Sequence, residues 1–363
     1  MKNSFGQSIS LTLFGESHGP QIGAVLDGLA PGIPVDEDFI RHQLSLRRPA
    51  KDGISTARAE TDDFRLISGV FNEKTTGTPL CILIPNADTH SSDYTPEIPR
   101  PGHADFTAGE KYHGFQDYRG GGHFSGRITA PLVAAGAVLI PALRQKGIRI
   151  GTHILTLAGV ADTPFPDSPE KEIDRLSDAR FPVLDPAAED RMKEKIREAK
   201  AAGDSVGGIL ETAVTGMPAG VGEPWFDTVE SLLSHALFAI PAVKGVEFGE
   251  GFGFAGLRGT EANDGFRMRN GAVVIVSNRN GGINGGITNG MPIRFRCAVK
   301  PTPSVAAPQE SVNLRTGENV TLSVHGRHDP AIVHRARVVV DSVTALVLAD
   351  LLAMRFGTDF LSV

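Results

Sequence analysis

The sequence predicts a mixed α and β protein in which two sheets pack with helices between or against them. Three observations lead to this prediction. Short apolar runs of strand length alternate with glycine and proline turns, two longer runs are apolar on nearly every face, and three patterns recur in the same order. We therefore expect one domain over 1–363 and, if the recurring patterns reflect a duplication, two similar halves at about 1–150 and 205–363.

The first half begins with two strands around a turn. The runs "SISLTLFG" and "IGAVLDGL" have strand length and flank the turn "GESHG". A helix should follow at "VDEDFIRHQLSLRR", because acidic residues open it and Phe39, Ile40 and Leu44 recur at near-helical spacing. The run "PLCILIPN" predicts a strand, and "PLVAAGAVLIPAL" at 131–143 predicts a helix that is buried on nearly every face.

A surface helix and a second buried helix are expected later in the chain. In "DPAAEDRMKEKIREAKAAG", Asp185 is a good N-cap, Pro186 suits the first helical position and Gly203 ends the helix. Met192 and Ile196 give this helix a narrow apolar stripe. The run "SVTALVLADLLAMRF" predicts another helix buried on nearly every face.

The recurring patterns suggest an internal repeat. In each pattern, a glycine turn or an arginine in one half has a counterpart in the other half, and the stretches around the two positions are similar. The alternative is chance resemblance among glycine-rich turns, and the sequence leaves both explanations open. The matched positions are the pairs Gly32 and Gly220, Gly77 and Gly290, and Arg127 and Arg337.

Composition excludes several classes of protein. A chain of 363 residues with 40% hydrophobic content can bury a large core, and its net charge of −6 argues against binding nucleic acid or membranes through bulk charge. The opening segment lacks the pattern of a leader, and no apolar stretch looks long enough to span a bilayer. Cys81 and Cys297 lie far apart and signal neither a disulfide framework nor a metal site. We expect a cytoplasmic protein.

Common cofactor motifs are absent or out of context. The run "GFGFAG" fits G-x-G-x-x-G, but the following "LRGTEANDGF" has no helical period, and a dinucleotide site needs a helix at that point. The sequence contains no H-E-x-x-H or G-K-[ST] motif, so metal hydrolysis of that kind and a phosphate-binding P-loop have no support.

Several glycine or proline turns combine histidine with arginine, lysine or hydroxyl groups. Any one of them is more often a solvated turn, but together they suit a phosphorylated and carboxylated small molecule that exchanges protons with the protein. The turns are "GESHG" with Glu16, Ser17 and His18, "RPGHAD" with Arg100 and His103, "YRGGGHFSGR" with Arg119, His123, Ser125 and Arg127, "VKPTPS" with Lys300, Thr302 and Ser304, and "HGRHDP" with Arg327, His328 and Asp329.

These turns resemble the signature motifs of the chorismate synthase family. "GESHG", "RPGHAD", the glycine-rich stretch that ends in Ser-x-Arg, "AVKGVEFG", "NGGINGGITNG", "KPTPS" and "GRHDP" follow the order of that family over nearly the whole chain. Two stretches depart from it. His123 and Phe124 stand where the commoner form has arginine and serine, and after "LRRP" many relatives carry a further arginine, for which Lys51 or Arg58 could substitute.

The resemblance implies a carbon–oxygen lyase that acts on a phosphate. Members of the family remove phosphate and a ring hydrogen from 5-enolpyruvylshikimate 3-phosphate in a 1,4-elimination that gives chorismate. They need reduced FMN although no net redox change occurs. Bifunctional relatives also use NADPH to reduce the flavin; they tend to be longer, and nothing in this sequence resembles an added reductase segment.

The resemblance also implies roles for individual residues. His18 is expected on the phosphate side, His103 beside the reduced flavin in its anionic form, and Asp329 near the flavin N5, on the route of the substrate proton. Ser17 would share a hydrogen bond there, and Glu16 would be structural. The expected substrate-binding residues are Arg47, Arg48, Arg100 and Arg127. The expected cofactor-binding residues are His123, Phe124, Ser125, Pro241, Ala242, Gly285, Lys300, Pro301, Thr302, Pro303, Ser304 and Arg327, the last of which also suits the substrate anions.

The family fold is an α+β sandwich of the β-α-β type, with helices between two antiparallel sheets, and its members assemble as homotetramers. Two other functions are compatible with parts of the sequence. A non-catalytic flavin- or nucleotide-binding module should have lost its proton-transfer residues, yet His18, His103 and Asp329 all stand in their motifs. A different phospho-lyase or transferase that works without flavin would leave the run "NGGINGGITNG" unexplained.

Overall fold

The computed structural model describes residues 2–50, 52–56, 60–87, 95–324 and 329–362. Within these ranges the chain forms antiparallel sheets and eight α-helices. The strands are β1 Ser4–Phe5, β2 Ser10–Gly15, β3 Gln21–Asp27, β4 Arg65–Ser68, β5 Val70–Phe71, β6 Lys74–Thr75, β7 Leu80–Pro85, β8 Arg149–Leu157, β9 Val160–Ala161, β10 Gly208–Thr215, β11 Val243–Phe248, β12 Phe266–Arg269, β13 Ala272–Ile275, β14 Ile283–Asn284, β15 Ile287–Thr288, β16 Ile293–Val299, β17 Gln309–Asn313 and β18 Glu318–Leu322. The helices are α1 Glu37–Arg47, α2 Asp105–Tyr112, α3 Thr129–Gln145, α4 Glu170–Leu176, α5 Pro186–Ala201, α6 Val229–Leu237, α7 Gly259–Ala262 and α8 Val333–Phe356.

Two five-stranded sheets form the outer layers. The first has the strand order β1-β2-β3-β7-β4 and the second the order β11-β16-β10-β8-β9. All pairs in both sheets are antiparallel, and the register of β2 with β3 places Gly15 opposite Ile22. The turn "GESHG" therefore closes the hairpin between β2 and β3, at the end of the first sheet.

The buried helices lie between the sheets. Helix α3 contacts β2, β3 and β7 of the first sheet and β8 of the second, while α8 packs on α3 and on β8 and β10. The two helices approach closely at Gly136, where an added Cβ would lie 2.3 Å from the Cβ of Ser342. The predicted α+β sandwich with helices between two antiparallel sheets is confirmed.

Helix boundaries follow the sequence signals. The Asp36 side chain accepts a hydrogen bond from the Phe39 amide at the start of α1, and Asp185 accepts one from the Ala187 amide at the start of α5. Met192 and Ile196 are fully buried, as the narrow apolar stripe of α5 predicted. The run "GFGFAG" forms a short 3₁₀ turn ahead of the four-residue helix α7, unlike the opening of a dinucleotide site.

The first buried helix is longer than its apolar run. One helical stretch among the described residues, Gly126–Gln145, has the length and composition to cross a membrane, so the expectation that no stretch reached that length was wrong. The helical stretch is longer than the predicted 131–143 because the residues on both sides of that run are also helical. Since 89% of its apolar window is buried inside the protein, this stretch is accounted for as the core of the sandwich.

The two sheets share one connectivity. In the first, β2, β3, β4 and β7 are followed by α3, with α1 between β3 and β4; in the second, β8, β10, β11 and β16 are followed by α8, with α6 between β10 and β11. The spatial order of these four strands is also the same in both sheets. This similarity favours an internal repeat, which stays a prediction, and it would start the second half at β8 rather than near 205.

Candidate functional site

The turn between β2 and β3 is held in place by an internal contact and by two other segments. The Oγ of Ser17 lies 3.1 Å from Nδ1 of His18, and the Ser17 amide donates to the carbonyl of Gly122. The side-chain amide of Asn86 donates to the carbonyls of Glu16 and Gly19 at 3.0 and 2.8 Å. These bonds fix the backbone on both sides of His18, and Ser17 provides the hydrogen bond expected from the sequence.

Three consecutive glycines, Gly120–Gly122, form a turn that lies against both predicted catalytic histidines. We call it the triglycine turn. An added Cβ on Gly120 would lie 2.1 Å from Nδ1 of His18, and one on Gly121 would lie 3.1 Å from Cε1 of His103. All three glycines have positive φ, which side chains rarely adopt. The local sequence therefore lets the backbone approach the imidazoles as closely as it does.

His103 is oriented by an acidic residue. Its Nδ1 lies 2.6 Å from Oδ1 of Asp105, to which the Arg100 guanidinium also donates two hydrogen bonds. Burial acts to raise the pKa of Asp105, but the hydrogen bonds from Arg100 and His103 outweigh it and hold that pKa below its ordinary value. Because an ionised carboxylate only accepts hydrogen bonds, Nδ1 of His103 carries a proton and Nε2 faces the triglycine turn.

The segment 300–304 packs on the His103 turn. Lys300 Nζ donates to the Gly102 carbonyl at 2.5 Å, and Arg100 donates to Oγ of Ser304 at 3.2 Å. The Lys300 amide donates to the carbonyl of Ala242, which brings 241–242 to the same place. Beside these contacts is an open cavity of about 310 Å³, within the usual range for ligand pockets. Its lining includes Pro101, Gly102, Lys300, Pro301, Thr302, Pro303 and Gln309.

Asp329 is joined to this segment and to α8. Thr302 Oγ1 donates to the main-chain carbonyl of Asp329 at 2.6 Å. One carboxylate oxygen of Asp329 accepts the Thr56 amide at 2.9 Å, and the other pairs with Arg335. The structure thus links all three predicted catalytic residues through one continuous set of contacts.

Two predicted substrate arginines meet at a buried carboxylate. Arg47 donates to one oxygen of Asp62 at 2.8 Å, and Arg127 pairs with the other. Burial acts to raise the pKa of Asp62, but the two guanidinium groups lower it overall. Arg127 also donates to the side chain of Asn86, so this cluster touches the "GESHG" turn. Arg47 and Arg127 are largely neutralised inside the protein, and their contact with a substrate stays a prediction.

Two other arginines, Arg48 and Arg119, do not bind Asp62 but have partners of their own. Arg48 donates to the main-chain carbonyls of Glu60 and Thr61. Arg119 has a side chain that is 42% exposed, and it pairs with Asp117 at 2.8 Å. The hydrogen bond from Arg119 lowers the pKa of Asp117, with a smaller contribution from the charge of His18. An accessible cation therefore lies close to the first imidazole.

The residues after the triglycine turn have local partners. His123 Nδ1 donates to the carbonyl of Gly15 at 2.8 Å, which ties the turn to β2. The ring of Phe124 meets Tyr112 edge-on, with centroids 6.0 Å apart. The Ser125 hydroxyl accepts the Arg127 amide. Contact of these three residues with a cofactor stays a prediction.

The contacts described above do not include Gly285, whose contact with a cofactor stays a prediction. Gly285 lies in the turn between β14 and β15, and its neighbour Gly286 packs on Thr228 at the start of α6. Lys300 follows the opposite end of β16, a seven-residue strand that spans about 20 Å. Arg327 lies outside the described residues, as do His328 and the substitutes Lys51 and Arg58.

Several residues that hold this arrangement together were not predicted from the sequence to do so. Asp105 stands two residues after His103 in "RPGHAD", a spacing that could have suggested their pairing. Asp62 and Asn86 gave no local signal, since their partners come from distant segments. Arg335 lies between "GRHDP" and the predicted helix "SVTALVLADLLAMRF", and no motif singled it out.

The cluster combines two imidazoles, an acid and several cations. Such a set can bind anionic groups through guanidinium and ammonium hydrogen bonds. The imidazoles can donate or accept protons near neutral pH, and a carboxylate can receive one. Chemistry on a phosphorylated acid that also requires proton transfer fits this inventory.

Comparison with known proteins extends over nearly the whole chain. A model of the chorismate synthase family matches residues 9–353. The chorismate synthase of Aeropyrum pernix is 46% identical over 356 residues, covering 98% of this chain and 93% of the relative. That of Dehalococcoides mccartyi is 46% identical over 360 residues, covering 98% of both chains. A crystal structure of a chorismate synthase matches with a TM-score of 0.77 and 30% identity, over 98% of this chain and 95% of that one.

The close contact at the triglycine turn predicts the effect of a single methyl group. In Gly120→Ala the new Cβ would overlap His18, and alanine would have to adopt φ near +60°. We expect the His18 ring to be displaced and the free energy of unfolding to fall by about 1–3 kcal/mol. A crystal structure and urea unfolding measure both effects. Gly126→Ala is the control, since nothing lies within 4 Å of its added Cβ. An unmoved imidazole in Gly120→Ala would contradict the contact.

The pairing at Asp62 predicts a pH-dependent loss of stability. Asp62→Asn leaves two buried guanidinium groups without their carboxylate, and we expect a loss of about 3–5 kcal/mol at pH 7 in urea unfolding. Because the folded-state pKa lies below the ordinary 3.8, this stabilisation is complete above about pH 4 and declines as the pH falls further. The difference in free energy of unfolding between the wild type and Asp62→Asn should therefore become smaller only below about pH 4.

The control for this measurement is Asp38→Asn, which removes an exposed carboxylate paired with Arg41. It should change the free energy of unfolding by less than about 1 kcal/mol. Equal losses in the two variants would show that Asp62 does not stabilise the arginine pair.

Proposed function

Because this chain belongs to the chorismate synthase family, we propose that it converts 5-enolpyruvylshikimate 3-phosphate to chorismate, using reduced FMN. This places it among the lyases of the shikimate pathway, at the last step common to the aromatic amino acids. The observation that carries the proposal is the packing of the His18 and His103 turns against one triglycine turn. Two proton-transfer groups then face a single small region, as an elimination with an anionic leaving group requires.

The proposed reaction is a 1,4-elimination. The bond from a ring carbon to the phosphate oxygen breaks, and phosphate leaves with the bonding electrons. A C–H bond of the ring also breaks, the hydrogen leaves overall as a proton, and a second ring double bond forms. The flavin starts and ends reduced, so the electrons balance without an external oxidant.

The residues present fit a flavin mononucleotide. The cavity of about 310 Å³ beside 300–304 is bordered by the Lys300 ammonium and by proline and glycine surfaces that allow a flat ring to approach. Ser304 and Thr302 add hydroxyl groups close by. When bound, the reduced flavin supplies electron density that assists phosphate departure and removal of the ring hydrogen. Lys300, Thr302, Ser304 and the edge at Pro241 and Ala242 would hold it.

His18 and His103 take different parts in this proposal. A protonated His18 donates a hydrogen bond to the departing phosphate, which neutralises charge as it develops. Nδ1 of His103 donates to Asp105, and a protonated His103 would donate from Nε2 to the reduced flavin and so stabilise its anionic form. Asp329 receives the substrate proton at the end of its route.

The substrate carries two carboxylates and a phosphate, which several cations must balance. Arg100 lies beside His103, and Arg119 lies near His18 with an exposed guanidinium. Arg48 caps the end of α1 and donates to the main-chain carbonyls of Glu60 and Thr61, near Arg127. We include these three in the substrate site, with Arg47 and Arg127 as neighbours whose two positive charges Asp62 offsets in part.

The proposal includes a homotetramer in the cytoplasm. In one protomer, Gly285 lies in the β14–β15 turn ahead of β16, and Lys300 follows the far end of that seven-residue strand, which spans about 20 Å. A second copy supplying its β14–β15 turn would reconcile the family assignment of Gly285 with this distance. Exposed aromatic side chains such as Trp225 and Phe226 are compatible with contacts between copies.

Replacing each histidine tests the proposed function. Under anaerobic conditions with reduced FMN and substrate, the wild type should form chorismate, read from its absorbance. His18→Ala and His103→Ala should each lower the single-turnover rate by about 10²–10⁴-fold, because each loses a positioned proton-transfer group. His18→Ala should still bind flavin, whereas His103→Ala should alter the spectrum of bound reduced flavin.

The matched control is His42→Ala, since His42 lies on α1 and pairs with Asp178 at the surface. It should retain wild-type turnover. Thermal melts separate loss of chemistry from loss of fold in all three variants. A wild type that forms no chorismate, or a folded His18→Ala with normal turnover, would refute the proposal.

A further inference from the structure

Asp329 is anchored at three points. Its Oδ1 accepts the Thr56 amide at 2.9 Å, its Oδ2 pairs with the Arg335 guanidinium, and its main-chain carbonyl accepts the Thr302 hydroxyl at 2.6 Å. A carboxylate held at both oxygens cannot rotate about its final torsion without breaking a hydrogen bond. Since each oxygen has a second lone pair, the anchored carboxylate can still accept a proton.

Arg335 is itself fixed on both sides. It lies in the first turn of α8, the helix buried between the two sheets, and its side chain is 13% exposed. Its Nη1 donates to the carbonyl of Arg47 at 3.0 Å, while Nη2 binds Asp329. Arg47 is in turn bound to the buried Asp62. The guanidinium therefore joins the end of α1 to Asp329 through a planar group of fixed shape.

The second anchor of Asp329 is also supported. The Ser55 hydroxyl donates to Asp52 at 3.0 Å and lies 3.3 Å from Nε2 of His334. Burial lowers the pKa of His334 to about 3, so this imidazole is neutral and adds no charge beside Arg335. These contacts hold the backbone that presents the Thr56 amide.

A second arginine of the same helix shows what a purely structural role looks like. Arg337 pairs with Asp341 one turn along α8 and donates to the carbonyls of Leu176, Ser177 and Ala179. All of its partners belong to the core or to the end of α4. Arg335 instead reaches out of the helix to a carboxylate that is linked, through 300–304, to the His103 turn.

We infer that Arg335 is a positioning residue that orients the Asp329 carboxylate to receive the substrate proton. This rests on the proposed function. The step is a proton transfer alone. An O–H bond forms on Asp329 as the bond between the proton and its donor breaks, and nothing is oxidised or reduced. Arg335 touches neither substrate nor cofactor in this role and acts through Asp329.

The test compares Arg335→Gln and Arg335→Lys with the control Arg355→Gln, which removes an exposed arginine from the far end of the same helix. Each protein is assayed anaerobically with reduced FMN, and kcat, KM and thermal melting are recorded. The deuterium isotope effect is measured with substrate deuterated at the ring hydrogen that is lost. Flavin affinity is measured by titration.

A positioning role predicts that Arg335→Gln lowers kcat by about 10²-fold with KM and flavin affinity within threefold of the wild type. The isotope effect should rise, because removal of the ring hydrogen becomes slower relative to other steps. Arg335→Lys should recover part of kcat, and Arg355→Gln should match the wild type.

Other results overturn the inference. If Arg335→Gln keeps kcat within twofold and the same isotope effect, or if KM alone changes, Arg335 does not position Asp329. If Arg335→Gln does not fold, the result for Arg335→Lys decides the question. A kcat and an isotope effect equal to those of the wild type would mean that any cation at this position suffices and that the role of Arg335 is structural. A wild type without turnover would refute the proposed function itself, and this inference with it.

Discussion

The packing of the triglycine turn against two imidazoles is the contact on which the candidate site depends. Gly120 leaves room for His18, and Gly121 leaves room for His103. The backbone conformation that permits this is one that side chains rarely adopt at three successive positions. Hydrogen bonds from the Ser17 amide and the His123 ring secure the turn to the end of the first sheet, and the Asp105 carboxylate orients His103.

The sandwich supplies the rigidity that this contact needs. Helix α3 begins directly after the glycine-rich stretch, and α8 begins a few residues after Asp329. Both helices are buried between the sheets, so the segments that precede them are positioned by the core. Arg127 lies just before α3 and pairs with Asp62, and Arg335 lies in the first turn of α8 and pairs with Asp329. Asp329 in turn accepts the Thr56 amide, so both carboxylates contact the segment 52–62 or belong to it. The segments before both buried helices thus contribute to the candidate site.

The sequence predicted the layers of the fold because strand-length runs and all-round apolar helices follow from local patterns. It also predicted the turns that carry His18, His103 and Asp329, since the order of the motifs is a property of the chain. The pairing of Arg47 and Arg127 through Asp62 was missed, because it depends on segments brought together only by the sandwich. The grouping of Gly285 with Lys300 at one cofactor stays a prediction, since it too depends on long-range contacts. Residues that act through long-range contacts have no local signature.

The most direct test of this account is a crystal structure of the protein with FMN and 5-enolpyruvylshikimate 3-phosphate bound. The account predicts that both ligands lie against Gly120–Gly122, with the substrate phosphate within hydrogen-bond distance of His18 and the flavin ring beside His103. Ligands bound away from this turn, with the two imidazoles facing neither of them, would contradict it.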